Sequence, residues 1–106
     1  MNDTITLPQR DRDHERALGI VFNISPAQAS VLSCLSRGVV ASTNQLLEYS
    51  GSKSQMKVII NHVRKALAPH DLVIHSKQHV GYWIDADNRS TIETMVMNFL
   101  GGNHNG

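Results

Sequence analysis

The chain has 106 residues, 41% of them apolar and 18% charged, with a formal net charge of +1. That length builds one domain around one core, and the composition is globular rather than disordered. A lone cysteine, Cys34, excludes an internal disulfide and fits a reducing cytosol. No apolar run approaches the roughly 18 residues of a membrane span, and the polar, acidic start has no secretion pattern, so a cytoplasmic protein is expected.

Residues 1–18 are dominated by RDRDHER, with apolar positions only at Ile5, Leu7, Ala17 and Leu18. They read as a solvated helix held by pairs such as Arg12–Glu15, or as an arm that orders on contact. Gly19 to Asn23 is β-branched and aromatic and predicts a short strand. Ser25-Pro26 then gives an N-cap and a proline at the first helical position. The helix they start runs to about Ser36, with Val31, Leu32 and Leu35 on its core face and Cys34 as a small packing residue. Val39-Val40 predicts a second short strand. Ser42 and Gln45 have the spacing of a capping box and open a short helix that Gly51 ends.

A third helix, capped by Ser52 or Ser54, runs until Pro69. At about 100° per residue, Met56, Ile60, Val63 and Leu67 fall within about 60° of one another as a core stripe. Ser54, Val58, Asn61, His62 and Lys65 fall opposite, with Gln55, Lys57 and Arg64 at the margins. Amides, an imidazole, cations and one isolated apolar residue suit a groove of DNA; pure solvation more often selects Glu and Lys. Leu72 to His75 and Val80 to Ile84 predict a hairpin with its tip at Ser76 to His79. Ser90-Thr91-Ile92-Glu93 reads as a capping box opening a helix with Ile92, Met95, Val96 and Phe99 on one stripe. Gly101-Gly102 ends it, and the final NHNG is expected to be disordered.

Charge is not spread evenly along this order. Between Tyr49 and Ile84 stand Lys53, Lys57, Arg64, Lys65 and Lys77 against Asp71 alone, a local balance of +4, while the remainder carries −3. A basic helix followed by a basic hairpin is the electrostatic footprint of a DNA-binding element.

Strand, helix, short strand, short helix, long basic helix and hairpin is the order of a winged helix. VRKALAP, followed by a hairpin ending in VGYW, resembles the effector domain of the OmpR/PhoB-type response regulators. ISPAQASVLSCLSRGVVASTNQLLEYS resembles the first two helices of that domain, so the likeness covers about residues 20–84. It implies an α+β winged helix-turn-helix fold: a three-helix core and a C-terminal hairpin wing, here with an added C-terminal helix. Residues 1–18 would be the arm or helix, 19–86 the winged-helix domain, and 87–106 the terminal helix and tail. The resemblance implies a recognition helix in the major groove of double-stranded DNA and a wing on the minor groove or backbone. Carried over, the base-reading positions are Gln55, Val58, Asn61 and His62. Ser54, Lys57, Arg64 and Lys65 would meet phosphate, and Lys77, Gln78 and His79 stand on the wing. Gln55 and Asn61 are able to pair bidentately with adenine, and Val58 to touch a thymine methyl.

The chain departs from that family in several ways. Its first 24 residues do not supply the family's N-terminal sheet intact, and no receiver domain is present, so a stand-alone protein is expected. The link from Ser50 to Ser54 is short, which disfavours the RNA polymerase contact made by a longer loop there and favours a repressor or accessory role. Gln78 and Trp83 stand where basic residues are common.

The expectation is a bacterial or phage transcription regulator, nucleoid-associated or in the host cytoplasm. The alternative is a protein-interaction adaptor that kept the scaffold and lost DNA binding. The stripe Ile92, Met95, Val96 and Phe99 either packs on its own domain or forms a homodimer contact, which would present two recognition helices to paired half-sites. No nucleophile–base–orienter set or phosphate loop supports catalysis. His75 and His79 lack the further ligands of a metal site, and no cofactor is expected.

Overall fold

The computed structural model describes residues 7–102. Among them the chain forms five α-helices and one antiparallel pair of strands, a mixed α+β arrangement. In order these are α1 (Arg12–Phe22), α2 (Pro26–Ser36), α3 (Thr43–Ser50), α4 (Met56–Leu67), β1 (His75–Lys77), β2 (Gly81–Trp83) and α5 (Ala86–Gly102). A single turn of 3₁₀ helix, Ala68–His70, follows α4. Residues 1–6 and the expected disordered tail at 103–106 lie outside the described residues.

Of the two readings of residues 1–18, a helix forms from Arg12, and it runs on into 19–23, where a strand is expected; the strand is corrected. Asp11 caps α1 through its side chain, which accepts from the His14 N–H, and the helix continues to Phe22. Asn23 ends it in the left-handed conformation at φ 56°. The β-branched run goes helical because Ala17, Leu18 and Phe22 are buried together on one helical face; tertiary burial outweighs local strand preference. Gly19 lies close to α2, where an added Cβ would stand 3.8 Å from the Ala29 Cβ.

The two capping boxes at Ser25–Gln28 and Ser42–Gln45 form as their spacing predicts. Proline at the start of α2 adds a preset φ where no N–H is needed. Val39-Val40 does not form a regular strand. Instead Ala41 makes an isolated antiparallel bridge with Tyr82, exchanging N–H···O bonds of 3.0 and 2.9 Å. The terminal helix begins earlier than Ser90. Asp85 is the capping residue, its Oδ1 accepting from the Asn88 N–H at 2.9 Å, so α5 has 17 residues.

One core joins all five helices: Leu18 from α1, Val31, Leu32 and Leu35 from α2, Leu46 from α3, Ile60 and Val63 from α4, and Ile92 and Val96 from α5. Fully burying each of these contributes roughly 1.5–3 kcal/mol. α1 and α5 therefore belong to the same core as the elements between them. α5 packs against α1 and α2, with Met95 and Phe99 laid against the core. Of the two expectations for the terminal stripe, packing on its own domain is what these four side chains do here. Among the described residues, no single helix is long and apolar enough to cross a membrane.

Candidate nucleic-acid interface

α4 separates its residues cleanly by face. Met56, Ile59, Ile60, Val63 and Leu67 are buried, whereas Lys57, Val58, Asn61, His62 and Lys65 are exposed. Ile59 joins the predicted stripe, and Val58 stays outside at 47% exposure. A single exposed valine is ordinary on a protein surface, and Ile20, Val73 and Val80 are at least as exposed, so Val58 matters only for the polar face it shares.

The start of α4 differs from the starts of α1, α2, α3 and α5. Neither Ser52 nor Ser54 caps it; the N-cap is Gln55, which makes no side-chain capping bond. Ser52 Oγ instead accepts from the Ser54 N–H at 3.0 Å, turning the link locally. The Val58 and Ile59 N–H groups bond to the Gln55 carbonyl, and the start of α4 is left without a side-chain cap, the end of a helix that favours an anion. Ser54 and Gln55 are both exposed at this end.

The hairpin is short, with His75 opposite Trp83, Ser76 opposite Tyr82 and Lys77 opposite Gly81. Gln78, His79 and Val80 form its tip, closed by a Val80 N–H to Lys77 carbonyl bond of 3.0 Å, and His79 takes φ 67°. Lys77, Gln78 and His79 are all exposed. Between the tip and the start of α3 lies a groove of about 590 Å³, bordered by Thr43, Asn44, Lys77 and His79.

Arg64, expected at phosphate, is engaged elsewhere. Its Nε and Nη2 donate to the Ile74 carbonyl at 3.2 and 2.8 Å, and Nη2 also donates to Ser76 Oγ at 3.2 Å. The guanidinium ties the hairpin to α4 and fixes the angle between them. His75 stacks on Trp83, with ring centroids 5.5 Å apart, and its Nε2 donates to Asp85 Oδ2 at 3.0 Å. The Asn88 backbone N–H, the His75 imidazole and the Asn88 side chain together hold the Asp85 carboxyl down at about 2.

Two arrangements escape the sequence because they join distant positions. His62 Nδ1 lies 3.1 Å from Gln28 Nε2, so α2 reaches the outward face of α4. Behind that face, His14 Nδ1 lies 2.8 Å from Ser33 Oγ and Nε2 3.9 Å from Glu93 Oε1. This order of serine, histidine and carboxylate resembles a nucleophile set, but Ser33 is wholly buried and also accepts from Arg37 Nη2 at 3.2 Å. It braces α1, α2 and α5 together. Arg10 completes the brace, pairing bidentately with buried Glu15 at 2.6 and 2.9 Å and donating to the Tyr49 carbonyl at 2.8 Å. Burial pushes the Cys34 thiol up to about 11, which keeps it protonated and unreactive.

Compared with known protein families, curated proteins and solved structures, the chain matches none.

Proposed function

We propose that this chain is a small winged-helix DNA-binding protein that regulates transcription in a bacterium or a phage, with α4 as the recognition helix and the β1–β2 hairpin as the wing. The observation that carries the reading is the outward face of α4, where Lys57, Val58, Asn61, His62 and Lys65 are exposed together on a helix buried along its other side. Amides and an imidazole offer directional hydrogen bonds to base edges, Val58 offers a methyl contact, and the lysines supply salt-dependent grip. Lys53, Lys57, Lys65 and the uncapped start of α4 then hold the backbone. Arg64 sets the wing instead of meeting phosphate itself, and Lys77, Gln78 and His79 reach the neighbouring groove or strand. The protein works by occupancy and has no catalytic role. The link between α3 and α4 spans only residues 51–55, which favours repression or an accessory role over direct contact with RNA polymerase.

The test is a gel shift on duplexes selected from a random pool, at two salt concentrations. Asn61→Ala and His62→Ala lose preference among sequences, each by about 1–3 kcal/mol at its own base. Lys65→Ala weakens all duplexes alike and lowers the salt slope by about 1. Equal losses on selected and random DNA for all three variants remove the base-reading role.

A second reading is a protein-interaction adaptor, and it has its own observation. Ile20 on α1 and Met97 and Leu100 on α5 are 57%, 62% and 52% exposed, away from α4. The same side chains serve a homodimer contact under the first reading. Absence of DNA binding at both salt concentrations selects the adaptor.

A further inference from the structure

The amide of Gln28 has two jobs, and the first dictates how the second is done. Its Oε1 accepts the Ser25 backbone N–H at 3.0 Å, as the returning half of the capping box at the start of α2. A backbone N–H is a donor only, so the oxygen of this amide has to be the atom that faces it. Nε2 is then the atom 3.1 Å from His62 Nδ1. An amide NH₂ is also a donor only, so Nδ1 must accept, and the single proton of the neutral ring sits on Nε2.

We infer that Gln28 fixes the tautomer of His62 and thereby makes this histidine a donor toward DNA, so that it selects a base presenting an acceptor. The inference rests on α4 reading the major groove. There, guanine O6 and N7, thymine O4 and purine N7 accept a proton, while cytosine offers only its N4 amino donor. Nε2–H bonds to the acceptors and meets cytosine donor to donor. Guanine, with two acceptors side by side, is the best partner. Gln28 does not touch DNA under this scheme; it is a positioning residue acting through His62.

The test uses Gln28→Glu in the full chain. Glutamate keeps the capping box, because one carboxylate oxygen still accepts the Ser25 N–H. The other oxygen faces His62 as an acceptor and draws the proton to Nδ1, which leaves Nε2 as an acceptor toward DNA. Long-range proton–nitrogen spectra of the imidazoles, recorded well above the ordinary histidine range so that the rings are neutral, report this without any DNA. Wild type is expected to show a protonated Nε2 and Gln28→Glu a protonated Nδ1. A free imidazole already leans toward the Nε2–H form, so the reversal is the deciding signal; an identical pattern in both proteins overturns tautomer control.

Selection from random duplexes is the second arm. At the position where His62→Ala loses discrimination, wild type is expected to accept guanine, thymine or adenine and to reject cytosine. Gln28→Glu is expected to move toward cytosine and away from guanine and thymine by about tenfold, while adenine, with an N7 acceptor beside its N6 donor, serves either tautomer. A reversed tautomer with unmoved base preference overturns the coupling to DNA. If neither protein binds any duplex, the DNA reading falls together with the base choice, while the spectra still decide whether Gln28 controls the ring.

Discussion

A Cβ placed on Gly81 would stand 2.5 Å from the carbonyl oxygen of Ala41, and 2.8 Å from its carbon. The hairpin is pressed against the segment before α3 at this point, where Ala41 and Tyr82 exchange their backbone hydrogen bonds. Gly81 also takes φ +130°, which L side chains rarely adopt. Strain and collision fall on the same atom, and both neighbours are backbone.

Gly81→Ala is therefore expected to destabilise the fold by about 2–4 kcal/mol in urea denaturation. Gly51→Ala is the matched control. Gly51 has φ +66° but nothing within 4 Å of an added Cβ, so only the conformational cost of about 1 kcal/mol applies. Equal losses at the two positions would show that the Ala41 contact carries no weight.

Arg64→Ala removes the donors that hold the Ile74 carbonyl and Ser76 Oγ. The expected loss is about 1–2 kcal/mol, with amide exchange accelerating at the hairpin pairs His75–Trp83 and Lys77–Gly81 before any global change. Arg64→Lys recovers only part of it, because an ammonium lacks the planar fork that serves both acceptors. Unchanged exchange in the hairpin of Arg64→Ala would refute the brace.

Stability is also expected to fall with acid through His14. Desolvation is the main cause that lowers its imidazole below the ordinary range, with Arg37 adding to it and Glu93, Asp11 and Glu15 opposing. The folded state then binds a proton less readily than the unfolded chain. This contribution is favourable above the ordinary imidazole value of about 6.5 and declines as pH drops below it, levelling only beneath the folded value. His14→Gln is expected to flatten that part of the curve of stability against pH. A wild-type slope retained in the variant would place the titration elsewhere.

The elements held by short-range chemistry were legible in the residues. Ser25-Pro26 with Gln28, and Ser42 with Gln45, state their helix starts within four positions, and the buried stripe of α4 repeats at helical spacing. Gly19 to Asn23 reads as a strand because its β-branched run carries strand preference, while the burial of Ala17, Leu18 and Phe22 that makes it helical depends on packing against α2 and, about seventy positions on, α5. Ser90 had capping-box spacing, yet Asp85 starts α5 five residues earlier because its carboxylate serves Asn88 and His75 together. The outward set on α4 was visible from the helical wheel. The contact of Gln28 with His62 spans 34 positions and leaves no periodic trace. The phosphate role of Arg64 came from the resemblance, since the wheel places it only at the margin of the outward face, and its bonds to the Ile74 carbonyl and Ser76 join residues ten and twelve positions away.

Asp85 belongs to two elements at once, since one carboxylate oxygen starts α5 and the other grips the base of the hairpin. Fraying of the final helix from its first turn is therefore expected to loosen the base of the hairpin as well. A load applied at either end of that carboxylate is felt at the other.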